Sequence, residues 1–95
     1  YISWPVVLAA GTWTFNLIHH KGTTRGIYSI QLDDVEKGTI DGYASSAQWN
    51  VTNAVTGITI STTKKYILKI KMTSKNPSSS DYYGAIAGVR LLRTA

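Results

Sequence analysis

The chain has 95 residues, enough for one domain with a modest core and too few for two. Charged residues make up 16% of it, against about 25% in an average globular domain, and there is no cysteine, which excludes disulfides, thiolate catalysis and thiol-based metal sites. The net charge is +5, yet no helical, zinc or RNP-like signature accompanies the scattered basic residues, so nucleic acid is not an expected partner. No apolar run approaches the roughly 18–20 residues of a membrane-crossing helix, and no membrane insertion is expected.

Read in chain order, the hydropathy pattern has period two almost throughout, the period of a strand with one face buried. A first strand is expected at Ile2–Leu8, where Pro5 marks an edge or a strand start because a missing N–H costs little there. The stretch Trp4–Gly11 ends in small residues as a signal-peptide cleavage site does, without the basic flank or the long apolar run. The opening at Tyr1, without methionine, is read as a cut, which makes this domain a fragment or the C-terminal domain of a longer chain. GTWTFNLIHH then sets Trp13, Phe15, Leu17 and His19 on one face, with Thr12, Thr14, Asn16 and Ile18 on the other. GIYSIQLDD turns Tyr28, Ile30 and Leu32 inward, and VEKGTIDGY reads as a short strand interrupted by glycine. VTNAVTGITIS alternates less cleanly, with Gly57 as the expected site of a bulge. KKYILKIKMTS turns Tyr66, Leu68, Ile70 and Met72 inward and sends Lys65, Ile67, Lys69 and Lys71 outward, lysines that guard against edge-to-edge pairing. GAIAGVRLLRT closes the set, with Ala87, Val89 and Leu91 inward and Arg90 outward.

Turn residues separate these runs at Lys21-Gly22, Asp33-Asp34, Ala44-Ser45-Ser46, Thr62-Thr63 and Asn76-Pro77-Ser78. Seven or eight short strands at this spacing, with no helical period, indicate an all-β fold: one antiparallel jelly-roll β-sandwich over residues 1–95.

The stretches QLDDVEKGTIDGYA and SKNPSSSDYYGAIAGVRLL, with AAGTWTFNLIHHKGTTRGIYSIQLDD before them, resemble the galactose-binding-like jelly rolls that include carbohydrate-binding modules. They resemble more closely the jelly-roll domains of fibre, spike and decoration proteins of tailed bacteriophages. The resemblance implies a non-enzymatic domain on the virion surface, assembled as a trimer with other virion proteins and able to hold surface polysaccharide. The alternative it implies is a carbohydrate-binding module tethering an enzyme to polysaccharide. The sugar-binding relatives carry acidic residues on the first strand for a structural calcium. YISWPVVLAA has none and Asp81 lacks a partner, so no calcium or other cofactor is expected.

Sugars stack their apolar faces on aromatic rings, and Tyr43, Trp49, Tyr82 and Tyr83 fall at expected loop–strand junctions beside the amides of Gln48, Asn50 and Asn76. The resemblance singles out Trp49 with Asn50 and Asn76 with Tyr82 as glycan-contacting pairs. The competing reading packs Trp49 under its loop and caps the core with one of the two tyrosines, since neighbours on a strand face opposite ways and only one can point inward. Gly84, Ala85, Ala87 and Gly88 leave one face of the last strand bare for close packing by a sheet or subunit. Ile18, Ile67 and Leu92 fall opposite the inward sets and are read as one exposed subunit-interface patch. His19 and His20 point to opposite faces and lack a third ligand, so no metal is expected; His19 is read as partly buried and His20 as solvated. Asp33, Asp34 and Glu36 cluster at a turn and suit turn chemistry, and neither a carboxylate pair across a cleft nor a nucleophile elbow is present, so catalysis is not expected.

Overall fold

The computed structural model describes all residues, Tyr1–Ala95, and contains seven strands: β1 Ile2–Leu8, β2 Gly11–Lys21, β3 Ile27–Leu32, β4 Val35–Asp41, β5 Gln48–Ile60, β6 Lys64–Ser74 and β7 Ile86–Arg93. They form two antiparallel sheets, one ordered β1-β6-β3-β4 and the other β5-β2-β7. The chain changes sheet at every connection except the β3–β4 hairpin, the winding of a jelly-roll sandwich.

The period-two reading places the core correctly. Phe15 and Leu17 from β2, Tyr28, Ile30 and Leu32 from β3, and Leu68 and Ile70 from β6 are buried, with Leu8, Ile40, Val55, Ile58 and Ile60 completing one cluster. Full burial of each large apolar side chain contributes about 1.5–3 kcal/mol relative to exposure. Trp13, Tyr66, Met72, Val89 and Leu91 pack against that cluster at its margin.

The Asp33-Asp34 turn is the two-residue link between β3 and β4, and both residues have positive φ, 49° and 64°, as a type I′ hairpin requires. Asp33 does more than turn the chain. Its carboxylate accepts the Ile67 N–H at 2.8 Å and pairs with Lys64, and these contacts, the first above all, hold it below the usual carboxylate range. Asp34 pairs in the same way with Lys69.

Strand β5 carries two bulges of one design. Thr56 and Gly57 together oppose Thr14, and Trp49 and Asn50 together oppose His20, with Gly57 (φ 67°) and Asn50 (φ 54°) in the left-handed region. Gly57 is thus the bulge residue that the sequence marks. A Cβ at Gly57 would meet nothing within 4 Å, so φ alone asks for glycine there.

Several expectations need correction. The three residues read as one interface patch are divided: Ile18 and Leu92 lie on the three-stranded sheet, whereas Ile67 lies on the outer face of the four-stranded sheet, because β6 pairs between β1 and β3. For the same reason the lysines of β6 line an outer face and not an edge. On β7 a register break between Ile18 and His19 pairs Ile86 with His19 and leaves Ala87 exposed instead of inward. The small residues at the start of β7 are filled from within the chain. A Cβ on Gly84 would come within 2.9 Å of Met72 Cε, and Ile18 lies across Gly88.

Candidate functional site

Strand direction divides the sandwich into two ends. The tight turns 9–10, 33–34 and 61–63 lie at one, and the longer connections 22–26, 42–47 and 75–85 lie at the other. All seven candidate aromatic and amide residues fall at the loop end or its margin, in three separate places.

The first is a platform on β2 and β5. Trp49 is 71% exposed, and its ring stands edge-on to the His20 imidazole, 4.7 Å between centroids at 61°. His20 is held in turn: its Nδ1 accepts the Asn50 backbone N–H at 3.1 Å. The bulge explains the arrangement. An extra residue opposite His20 lifts Trp49 out of the ladder, and the left-handed turn at Asn50 aims its N–H at the ring. Gln48 and Asn50, its neighbours in sequence, are exposed. Trp49 therefore does not pack under its loop, and His20 is a half-buried prop instead of a solvated side chain. That role was not legible from sequence, because it depends on which residue the bulge sets opposite His20.

The second is a latch. Asp41 accepts the Tyr43 N–H with one carboxylate oxygen, at 2.9 Å, and the Asn76 amide N–H with the other, also at 2.9 Å. The Asn76 amide oxygen accepts the Ser78 N–H. One end of this amide ties loop 75–85 to β4 and the other is used within the loop, so both are engaged inside the chain. Sequence reasoning also missed Ser79. It is 3% exposed, and its hydroxyl donates into a cage of the Thr23, Arg25 and Asp81 carbonyls, nearest Arg25 at 2.6 Å. A buried serine in a serine-rich loop has no sequence signal of its own.

The third is a cavity of about 290 Å³ lined by Tyr1, Ile2, Tyr28, Ile70, Met72, Tyr82, Gly84 and Ile86. Tyr82 and Tyr83 are both exposed, at 54% and 58%. β7 begins only at Ile86, so the two lie in the loop and neither caps the core. Lys75 Nζ sits 5.9 Å from the Tyr82 ring centroid, and Tyr83 bridges to Arg25 by its backbone. The Tyr28 hydroxyl accepts the Ala85 N–H at 2.9 Å, and burial raises its phenol above the ordinary value.

Beneath the platform, His19 points inward and is fully buried. Its Nε2 is 2.7 Å from the Asn53 amide oxygen, which can only accept, so Nε2 carries the proton. Nδ1 is then a bare acceptor, buried without a partner, beside an edge-on Tyr28 at 5.5 Å. Burial pulls the His19 pKa below 6.5, with the Asn53 bond opposing. No three acidic or histidine side chains converge to hold a metal ion. No protein-family model matches the chain, and no curated protein matches it in sequence.

Proposed function

We propose that this domain is a non-enzymatic adhesion module, of the kind carried on phage virions by fibre, spike and decoration proteins, and that it holds a surface glycan at its loop end. The observation that carries this reading is Trp49: a large ring left in water, yet braced by His20 and next in sequence to the exposed residues Gln48 and Asn50. A loosely held tryptophan would lose side-chain freedom on binding; a propped one is already ordered. The platform is small and open, which suits one or two sugar rings at the surface.

Assembly belongs to the same reading, with the trimer as the expected form. Formal charge on the strands of the three-stranded sheet is confined to Lys21, Arg90 and Arg93, whereas the four-stranded sheet carries Glu36, Lys37, Asp41, Lys64, Lys65, Lys69 and Lys71. A contact between copies on the face around Ile18 and Leu92 therefore takes the fewest charged side chains out of water.

The test is a glycan array probed with the purified domain, followed by titration of the best ligand. Truncating a tryptophan at a binding centre costs about 2 kcal/mol or more, roughly thirty-fold in affinity, so Trp49→Ala should all but abolish binding while the thermal midpoint holds. Retention of a glycan at full affinity by Trp49→Ala sinks the site. Light scattering gives the oligomeric state separately, and Leu92→Asp should lower it.

A further inference from the structure

The two sheets are unequal, and the mismatch is open on one side. Across the sandwich β4 closes against β5, where Gly38 meets Val55. On the other side β1 is the strand for which the shorter sheet has no counterpart. Its inward side chains show it: Ile2 is 47% exposed, and Trp4 and Val6 are only half-buried although they face the core. The facing residues Ile86, Val89 and Leu91 of β7 are no better covered, and the 290 Å³ cavity lies at the loop end of this seam.

Two free strand edges border the seam, and they differ. The Asp33 N–H donates to the Ile67 carbonyl and the Ile67 N–H donates to the Asp33 carboxylate, so both backbone groups of Ile67 face β3. Pro5, its partner on β1, therefore turns its own backbone to the free edge, where proline offers no N–H. That edge is interrupted at its centre. On β7, Thr94 N–H donates to the Thr12 carbonyl, and alternation along the ladder sends the backbone groups of Leu92 and Arg90 to β2. Those of Val89 and Leu91 then face outward, with no proline to interrupt them.

We propose that β7 accepts one further strand at this edge: an extended segment of another polypeptide, apolar at alternate positions and carrying acidic residues. Its inward side chains would lie over Ile2, Trp4 and Val6 and complete the shorter sheet. Charge identifies the partner. β1 has no charged residue, β7 has Arg90 and Arg93 and no acid, and Lys75 stands at the cavity mouth on Tyr82. The acid nearest in sequence, Asp81, turns its carboxylate to the Tyr82 N–H. A second copy is a poorer fit. It brings the same positive charge, and pairing β7 to β7 would drive each overhanging β1 into the other copy's four-stranded sheet.

The probe is a synthetic octapeptide of alternating valine and threonine with an aspartate at each end. In the free domain the Val89 and Leu91 amides should exchange with solvent at least tenfold faster than those of Arg90 and Leu92. The peptide should slow Val89 and Leu91 selectively. Val89→Pro should abolish this without unfolding the domain, and Trp49→Ala should leave it unchanged, which separates this site from the glycan platform. If Val89→Pro fails to fold, the peptide is instead N-methylated on alternate amides: one pattern should bind and the complementary one should not. Protection of Val89 and Leu91 in the dilute free domain, or no added protection at about 1 mM peptide, overturns the proposal. So does protection that grows with concentration of the domain alone, which would make a second copy the occupant.

Discussion

Gly38→Ala adds one methyl group where the two sheets close, and the structure says where it goes. Gly38 pairs with the inward-facing Ile30, so its missing side chain would also point into the sandwich. A Cβ built there lies 2.7 Å from Val55 Cγ1 and 3.0 Å from Cγ2, closer than carbon atoms pack. Val55 is buried on β5, and its two methyls leave it no slimmer rotamer, so either the sheets part or Val55 is displaced. Overpacking of this kind costs about 1–3 kcal/mol, and the loss of glycine's unfolded-state freedom returns roughly 0.5–1. The net expectation is a destabilisation of about 1–2 kcal/mol. In a domain of this size that is a fall in melting temperature of about 4–8 °C per kcal/mol. Urea unfolding of Gly38→Ala, Val55→Ala and the double variant measures the coupling directly. Val55→Ala removes the methyls that the new Cβ strikes, so the double variant should be at least about 1 kcal/mol more stable than the sum of the singles predicts. A neutral Gly38→Ala, or strict additivity, would refute the claim that the sheets close on bare backbone here.

Other consequences can be checked with similar means. Asn50→Gly and Gly57→Asn should each cost under about 1 kcal/mol, because both replacements tolerate the left-handed region, whereas Gly57→Val should cost about 1–2 kcal/mol by urea titration despite the empty space around it. Ser79→Ala removes the buried hydroxyl from a cage of carbonyls and should cost about 1–2 kcal/mol, with limited proteolysis cutting first within loop 75–85. The depressed pKa of His19 makes the native state the poorer proton acceptor. Above pH 6.5 this group has no effect; as pH falls below 6.5 the unfolded state gains the proton first and stability declines, until the folded pKa is reached. His19→Leu should flatten that slope just below pH 6.5, leaving the separate loss below about pH 4 as Asp33, held low in the fold, takes its proton.

What could be read from the sequence follows from the range of the interactions involved. Alternation in GTWTFNLIHH and KKYILKIKMTS fixed the inward faces, because one residue's step to the opposite side is a local property of extended backbone. The Asp33-Asp34 turn and the Gly57 bulge were legible for the same reason: each depends on backbone conformations that few residues adopt. Sheet membership is not local. Ile18, Ile67 and Leu92 have the same outward phase, and only the crossovers decide that β6 enters one sheet while β2 and β7 share the other. The site failed in the same way at Asn76, whose amide looked available until Asp41 and Ser78 took both of its ends.

The second bulge shows how a long-range register makes a site out of ordinary residues. Nothing in QWNV marks Asn50 as left-handed; asparagine adopts that region readily but does not require it. The six residues between Asn50 and Gly57 let β5 leave and rejoin the ladder of β2 twice, each time setting two residues against one. At Gly57 the outcome is only a bend. At Asn50 the same bend falls opposite His20, and it raises Trp49 out of the strand, turns an N–H onto the imidazole and braces the indole against it. The exposure of Trp49 is therefore built by the backbone around it. A strand without that bulge would carry the same tryptophan as an ordinary alternating residue, with neither prop nor platform.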